Sequence, residues 1–131
     1  GCSFLSIQNN FFLNDLEEII FKNKISYFGG APMQVEMINS MSNNKINSLK
    51  KVITSGDFLY EKTSSSFLKK FNNKKELIQF YGLTEVGGRF CHNIVKKKND
   101  TKSGVVGVPL KYLKYKNLKN SSQENPKEMR Y

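Results

Sequence analysis

The sequence predicts an α/β domain, with a mainly parallel sheet and flanking helices over about residues 1–88, then antiparallel strands of a second subdomain over 89–131. Three observations predict it. Apolar runs of strand length alternate with amphipathic stretches of helical length as far as Phe80. Several of those runs end in glycine, at Gly29-Gly30, Ser55-Gly56 and Gly82. After Gly88 the alternation stops, and short strands and turns take over. Such alternation implies parallel strands joined by right-handed crossovers. Loops at the carboxyl ends of parallel strands lie along one edge, so these glycines are expected to line one crevice.

The elements follow in order. Cys2 to Ile7 reads as a short strand. Asn14 is placed to cap a helix, with Asp15, Glu17 and Glu18 in the first turn, where the dipole favours acids. Leu16, Ile19 and Ile20 give that helix its apolar face. Ile25 to Phe28 is the next strand. Pro32 then opens a helix at the position that tolerates its missing N–H. Val35, Ile38 and Met41 are its buried stripe, and Asn43-Asn44 its end. A strand is expected over Leu49–Thr54 and a helix over Tyr60–Phe71, with Phe67, Leu68 and Phe71 on one side. Asn72-Asn73 is a turn, and Glu76–Phe80 the fourth strand of the series. Beyond Gly88, Arg89–Val95 alternates as a strand. Gly104–Leu110 and the Lys/Tyr-rich run 111–119 read as short strands and turns, 120–127 as a polar hairpin loop, and 128–131 as the start of a returning strand. The chain begins at Gly1 and breaks off at Tyr131 in a strand pattern, which reads as an internal piece of a longer protein.

The 131 residues are 38% hydrophobic and 12% aromatic, enough for a core. No apolar run approaches the roughly 18 residues of a membrane helix. The net charge is +10. Residues 96–131 hold ten Lys/Arg against three Asp/Glu, whereas 1–95 hold eleven against eight. The excess is Lys mixed with Asn and nearly without Arg. Nucleic-acid readers favour Arg forks and interleaved aromatics, so a solvated basic face is expected and no nucleic-acid partner. Cys2 and Cys91 are too few for a disulfide framework or a zinc site, and they point to a reducing, cytoplasmic setting. His92 follows Cys91, but neighbours in a strand point to opposite faces and cannot readily act as a pair.

The densest chemistry lies in Gln79-Phe80-Tyr81-Gly82-Leu83-Thr84-Glu85. A strand that ends in an aromatic ring, a hydroxyl and a carboxylate could serve one nucleotide: a face for the base, a donor for phosphate, an oxygen for Mg²⁺. The same pattern also suits a strand-loop-strand corner with a surface Glu, and the residues alone leave both open.

Four motifs together resemble the adenylate-forming superfamily of acyl-CoA synthetases, aryl-CoA ligases, luciferases and peptide-synthetase adenylation domains. Tyr81-Gly82-Leu83-Thr84-Glu85 is similar to that family's Tyr-Gly-x-Thr-Glu motif. Leu49 to Leu59 is similar to its preceding strand and Gly-rich loop. Gly29-Gly30-Ala31-Pro32 and Gly104-Val105-Val106-Gly107-Val108-Pro109-Leu110 are similar to two further turns, in the same order and spacing.

The resemblance implies an ATP-dependent carboxylate ligase, in which a carboxylate attacks the α-phosphate of ATP to give acyl-AMP and pyrophosphate. A thiol then takes the acyl group, coenzyme A in acyl-CoA synthetases or an acyl carrier in adenylation domains. The implied substrates are ATP and a carboxylic acid of fatty or other acyl type. The implied catalytic pair is Thr84, on the phosphates, and Glu85, on Mg²⁺. Ser55, Gly56, Asp57 and Phe58 are implied to run along the nucleotide and acyl group. Gln79, Phe80, Tyr81, Gly82, Leu83 and Thr84 complete the nucleotide site, with Tyr81 stacked on adenine. Departures are Ser55-Gly56 for a glycine pair, Asp57 for Glu or Ala, and the bulky Phe58. The family's phosphate loop with its Lys, its ribose-binding Asp and its C-terminal domain with the catalytic Lys have no counterpart here, so residues 1–131 alone are expected to be inactive. The competing class is a basic α/β binding module without catalysis.

Overall fold

The structure is a computed structural model that describes residues 3–5, 13–86, 88–96, 105–111, 113 and 129–130. Its elements are α1 (Leu13–Lys22), β1 (Tyr27–Gly30), α2 (Pro32–Ser40), β2 (Lys51–Thr54), α3 (Glu61–Phe71), β3 (Glu76–Tyr81), a 3₁₀ turn (Thr84–Val86), β4 (Cys91–Val95), β5 (Val105–Pro109) and β6 (Met129–Arg130). The strands lie in the sheet in sequence order, β1 to β6. β1, β2 and β3 are mutually parallel, and every pairing from β3 onward is antiparallel. The α/β class and the switch of direction after Gly88 therefore stand as the sequence predicts. The antiparallel strands extend the same sheet, since β4 pairs directly with β3.

α1 buries Leu16 and Ile20 and spans Glu18 and Lys22 with an i,i+4 ion pair at 2.6 Å. The helix begins at Leu13, so Asn14 lies inside its first turn and is not the cap. Pro32 occupies the first turn of α2, as expected, and the Gln34 side chain accepts the Ala31 N–H at 2.8 Å. That helix stops at Ser40, not at Asn43-Asn44, because Met41 turns extended and drops its side chain into the core. α3 starts one residue after Tyr60, and Asn72 closes it in the left-handed conformation at φ 47°. Phe4 and its neighbours at 3 and 5 form no strand, and the rest of the expected Cys2–Ile7 strand lies outside the described residues. The expected 120–127 loop also lies outside them, and of the returning strand Met129–Arg130 is described.

One core holds the three helices against one face of the sheet. Leu16 and Ile20 from α1, Val35 and Ile38 from α2, and Phe67, Leu68 and Phe71 from α3 meet Val52, Leu77 and Val95. The strand residues alternate because the pleat sends every second side chain to that face. Phe67 is fully buried and lies edge-on to Phe71, with ring centroids 4.7 Å apart. α2 and α3 are also tied by polar bonds. Thr63 Oγ1 donates to Glu36 Oε1 at 2.6 Å, and Asn39 Nδ2 to the Thr63 carbonyl at 3.0 Å.

Ile46 is fully buried although it lies in the turns between α2 and β2. No periodicity marks it, because turns have none. Ile46→Val should lower stability by about 1 kcal/mol, the cost of one buried methyl group and the space it leaves. Chemical denaturation would register this as a lower midpoint at unchanged slope. An unchanged midpoint would show that the turn does not belong to the cooperative core.

Candidate active site

The carboxyl ends of β1 and β2 are level, and β3 runs two residues further along the same edge, to Tyr81. Gly30 pairs with Thr54, and Thr54 with Gln79, so three loops leave the sheet side by side. The Ser55 N–H donates to the Gly30 carbonyl at 3.3 Å and ties the second loop to the first. Parallel strands joined through helices on one face bring this about, and residues 24 or 25 positions apart in sequence become neighbours.

In the second loop Ser55, Gly56 and Asp57 are exposed. Gly56 has φ +90°, a conformation that a β-carbon disfavours. Asp57 accepts the Phe58 N–H at 2.7 Å, so its carboxylate turns back onto its own loop. The Phe58 ring lies edge-on to Tyr60 at 5.0 Å, which ties it to the start of α3.

The third loop closes on itself. The Phe90 N–H donates to the Tyr81 carbonyl at 2.7 Å, and the Gly88 N–H to the Leu83 carbonyl at 3.1 Å. Gly82 is pressed against the returning backbone. A β-carbon there would lie 2.7 Å from the Arg89 nitrogen and closer still to the Gly88 carbonyl. Only glycine fits, which explains the glycine after Tyr81 in packing terms. The closure holds Leu83, Thr84 and Glu85 out at the edge, all exposed, with Thr84 and Glu85 in the 3₁₀ turn. Tyr81 is half-buried at the end of β3.

Not every residue proposed from sequence faces this edge in the same way. Gln79 is buried on the helix-covered side of the sheet, one alternation on from Leu77. Phe80 points to the other side, where the Arg89 guanidinium lies 4.9 Å above its ring and the His92 ring 6.3 Å away. Cys91 is fully buried, and burial pushes its thiol pKa up, away from the thiolate form. The dismissal of a Cys-His pair on strand geometry thus agrees with the structure.

Two residues escape the sequence reading. Thr54 is 1% exposed, and its hydroxyl finds no hydrogen-bond partner among the described residues, at the carboxyl end of β2. Arg89 brings a cation to the return of the third loop. Thr54 belongs to the same stretch as Ser55-Gly56, and Arg89 follows the last glycine directly. Those positions are the signal that could have marked them.

A family model described as "AMP-binding enzyme" matches residues 2–128. The chain belongs to that family. The N-terminal subdomain of NpsA from Klebsiella oxytoca, solved in complex with 3-hydroxybenzoyl-AMSN, superposes on this AMP-binding chain with TM-score 0.64 at 16% identity. The match covers 81% of this chain and 27% of that one. The N-terminal domain of FACL13 from Mycobacterium tuberculosis gives TM-score 0.58 at 19% identity, covering 74% of this chain and 24% of the other. FmoA3, a nonribosomal peptide synthetase solved with AMPPNP bound, gives 0.64 at 13% identity, over 76% of this chain and 11% of its own. The AMP-binding chain thus spans about a quarter or less of each of these relatives. No curated protein matches it in sequence. Among the described residues, no helix is long and apolar enough to cross a membrane.

Proposed function

We infer that this chain forms the nucleotide-facing edge of an ATP-dependent carboxylate ligase. The observation that carries the reading is the departure of three neighbouring loops from one edge of the sheet, one of them built from Tyr81-Gly82-Leu83-Thr84-Glu85, in a chain of the AMP-binding family. A carboxylate oxygen attacks the α-phosphorus of ATP, the bond to the pyrophosphate oxygen breaks, and acyl-AMP forms. A thiol sulfur then attacks the acyl carbon and AMP leaves. In the first step both reactants are anions, so alignment and charge compensation provide most of the rate.

On this reading Tyr81 offers its ring to adenine, and Thr84 donates its hydroxyl to a phosphate oxygen. Ser55, Gly56, Asp57 and Phe58 flank the nucleotide and acyl group. Residues 1–88 supply the nucleotide part, and 89–131 begin the antiparallel subdomain. The donor set fits a metal that arrives with ATP. Glu85 is exposed and enters no ion pair among the described residues, and no group of three His, Cys, Asp or Glu side chains is gathered there. Mg²⁺ is commonly held by one or two carboxylates together with substrate phosphates, not by an all-protein cage. Glu85 would hold such an ion, which would supply positive charge to the phosphates.

The thiol acceptor is coenzyme A on the acyl-CoA synthetase reading. Carrier-protein loading is the second reading, favoured by the likeness to FmoA3, a nonribosomal peptide synthetase. A cytoplasmic setting suits both, since ATP and free thiols are abundant there. ATP–pyrophosphate exchange with a panel of carboxylic acids, run on the full natural polypeptide, tests the reading. Exchange that requires one acid and Mg²⁺ is expected. No exchange with any acid, together with no binding of AMPPNP, would overturn it. Adding coenzyme A or a carrier after exchange is established separates the two acceptors.

Tyr81→Ala gives a finer test. Base–aromatic stacking contributes about 1–3 kcal/mol. The contact exists in ground and transition states alike, so KM for ATP should rise about tenfold or more with kcat little changed. If Tyr81 is only a packing residue, the variant would melt earlier and keep its KM.

A further inference from the structure

A cleft of about 470 Å³ lies at the end of the strands opposite the candidate active site. Lys50 directly precedes β2, and Lys74 and Lys75 directly precede β3, so the cleft sits at the amino edge of the sheet. β3 alone is six residues long, which sets the two edges roughly 20 Å apart.

Lys50, Lys70, Lys74 and Lys75 line this cleft with Asn43 and Asn47, and among the described residues no carboxylate lines it. The nearby acids are engaged elsewhere. Glu17 accepts the Ser42 N–H at 2.6 Å and pairs with Lys45 at 3.3 Å, and Glu76 pairs with Lys51 at 2.8 Å. Lys70 donates to the Asn39 carbonyl at 3.0 Å and to that of Met41. Lys75 donates to the carbonyls of Ile46 at 3.1 Å, Asn47 at 3.2 Å and Leu49. These bonds fix both ammonium groups in place, 5.6 and 5.2 Å from the Phe71 ring centre, but carbonyls carry no net charge to neutralise them. Burial pushes both pKa values down, with the charge of Glu17 opposing it at Lys70. Two fixed, partly desolvated cations therefore line the cleft. Lys50 and Lys74 are exposed, and their side chains enter no ion pair or hydrogen bond among the described residues, so their donors remain available.

We propose that this amino-edge cleft binds a phosphate-type oxyanion, separate from the nucleotide edge. Lys70 and Lys75 provide the fixed charge, while Lys50, Lys74 and the asparagine amides provide the donors. The proposal does not rest on the ligase reading, because it uses none of the same residues.

The probe is inorganic tripolyphosphate, titrated calorimetrically into the full natural polypeptide at low salt. Saturating AMPPNP keeps the nucleotide edge from contributing. The Lys50→Gln/Lys74→Gln double variant should bind about twentyfold more weakly, and raised salt should weaken the unmodified protein in the same direction. Both positions are exposed, so the melting temperature should not move. The Lys50→Arg/Lys74→Arg variant should retain binding, since it keeps both charges. A parallel arm uses phosphatidylcholine vesicles with and without phosphatidic acid. Capture that needs phosphatidic acid and fails in the Gln double variant would support the site and identify a headgroup as its source. Tripolyphosphate binding that the double variant leaves unchanged would overturn the proposal, as would no binding to either probe.

Discussion

Glu85→Gln should lower kcat about a hundredfold or more in the intact ligase, with the melting temperature unchanged. The substitution keeps the size of the side chain and removes its charge. Glu85 is exposed in the 3₁₀ turn and, among the described residues, supports no ion pair, so the fold loses nothing by it. A carboxylate that positions a metal on ATP acts where charge develops, and losing one such preorganised contact costs about 3 kcal/mol of barrier. Steady-state kinetics with ATP varied, paired with a thermal melt, checks this. A stably folded Glu85→Gln enzyme with unchanged kcat would make Glu85 a solvated corner residue and end the metal assignment.

Gly82→Ala should damage stability and activity together. Its β-carbon would lie 2.7 Å from the Arg89 nitrogen and nearer still to the Gly88 carbonyl, and both are backbone atoms that cannot rotate away. The loop must open by more than about 1 Å, at a cost of about 3 kcal/mol. That opening breaks the closure held by the Gly88 N–H on Leu83 and the Phe90 N–H on Tyr81. It also carries Thr84 and Glu85 out of register with the other two loops, and displacement on that scale can cost about a hundredfold in rate. Gly29→Ala is the control. Nothing lies within 4 Å of a β-carbon at Gly29, so its stability should change by less than about 0.5 kcal/mol. Equal melting temperatures for Gly82→Ala and Gly29→Ala would show that the loop is not closed in solution as it is in the structure.

The two predictions differ in what made them possible. The Tyr-Gly-x-Thr-Glu resemblance marks Glu85 without any coordinates, because the motif names residue types that nucleotide chemistry needs. The same motif marks Gly82 but gives no reason for it. The reason is a backbone approach between Gly82 and Gly88, and sequence patterns carry no distances.

The sequence by itself determined the α/β class, the parallel-then-antiparallel order and the family. The class and the strand order follow from local signals: apolar periodicity for Val35, Ile38 and Phe67, a proline at the start of α2, and glycines after strand ends; the family follows from the resemblance of four motifs. Helix ends were less legible. Asn14 and Asn43 carry capping chemistry, but the helices start or stop elsewhere, since core contacts such as that of Met41 outweigh a cap of about 1 kcal/mol. Only the tertiary structure decided which side chains of one strand face helices, edge or open sheet. Gln79, Phe80 and Tyr81 are consecutive, yet one is buried under the helices, one lies beneath Arg89, and one sits at the end of β3. Tertiary structure alone also set Thr54 beside Gly30 and Gln79, and gathered four lysines at the far edge. Both arrangements arise from strand register and crossover packing, which join residues distant in the chain and leave no local trace in the sequence.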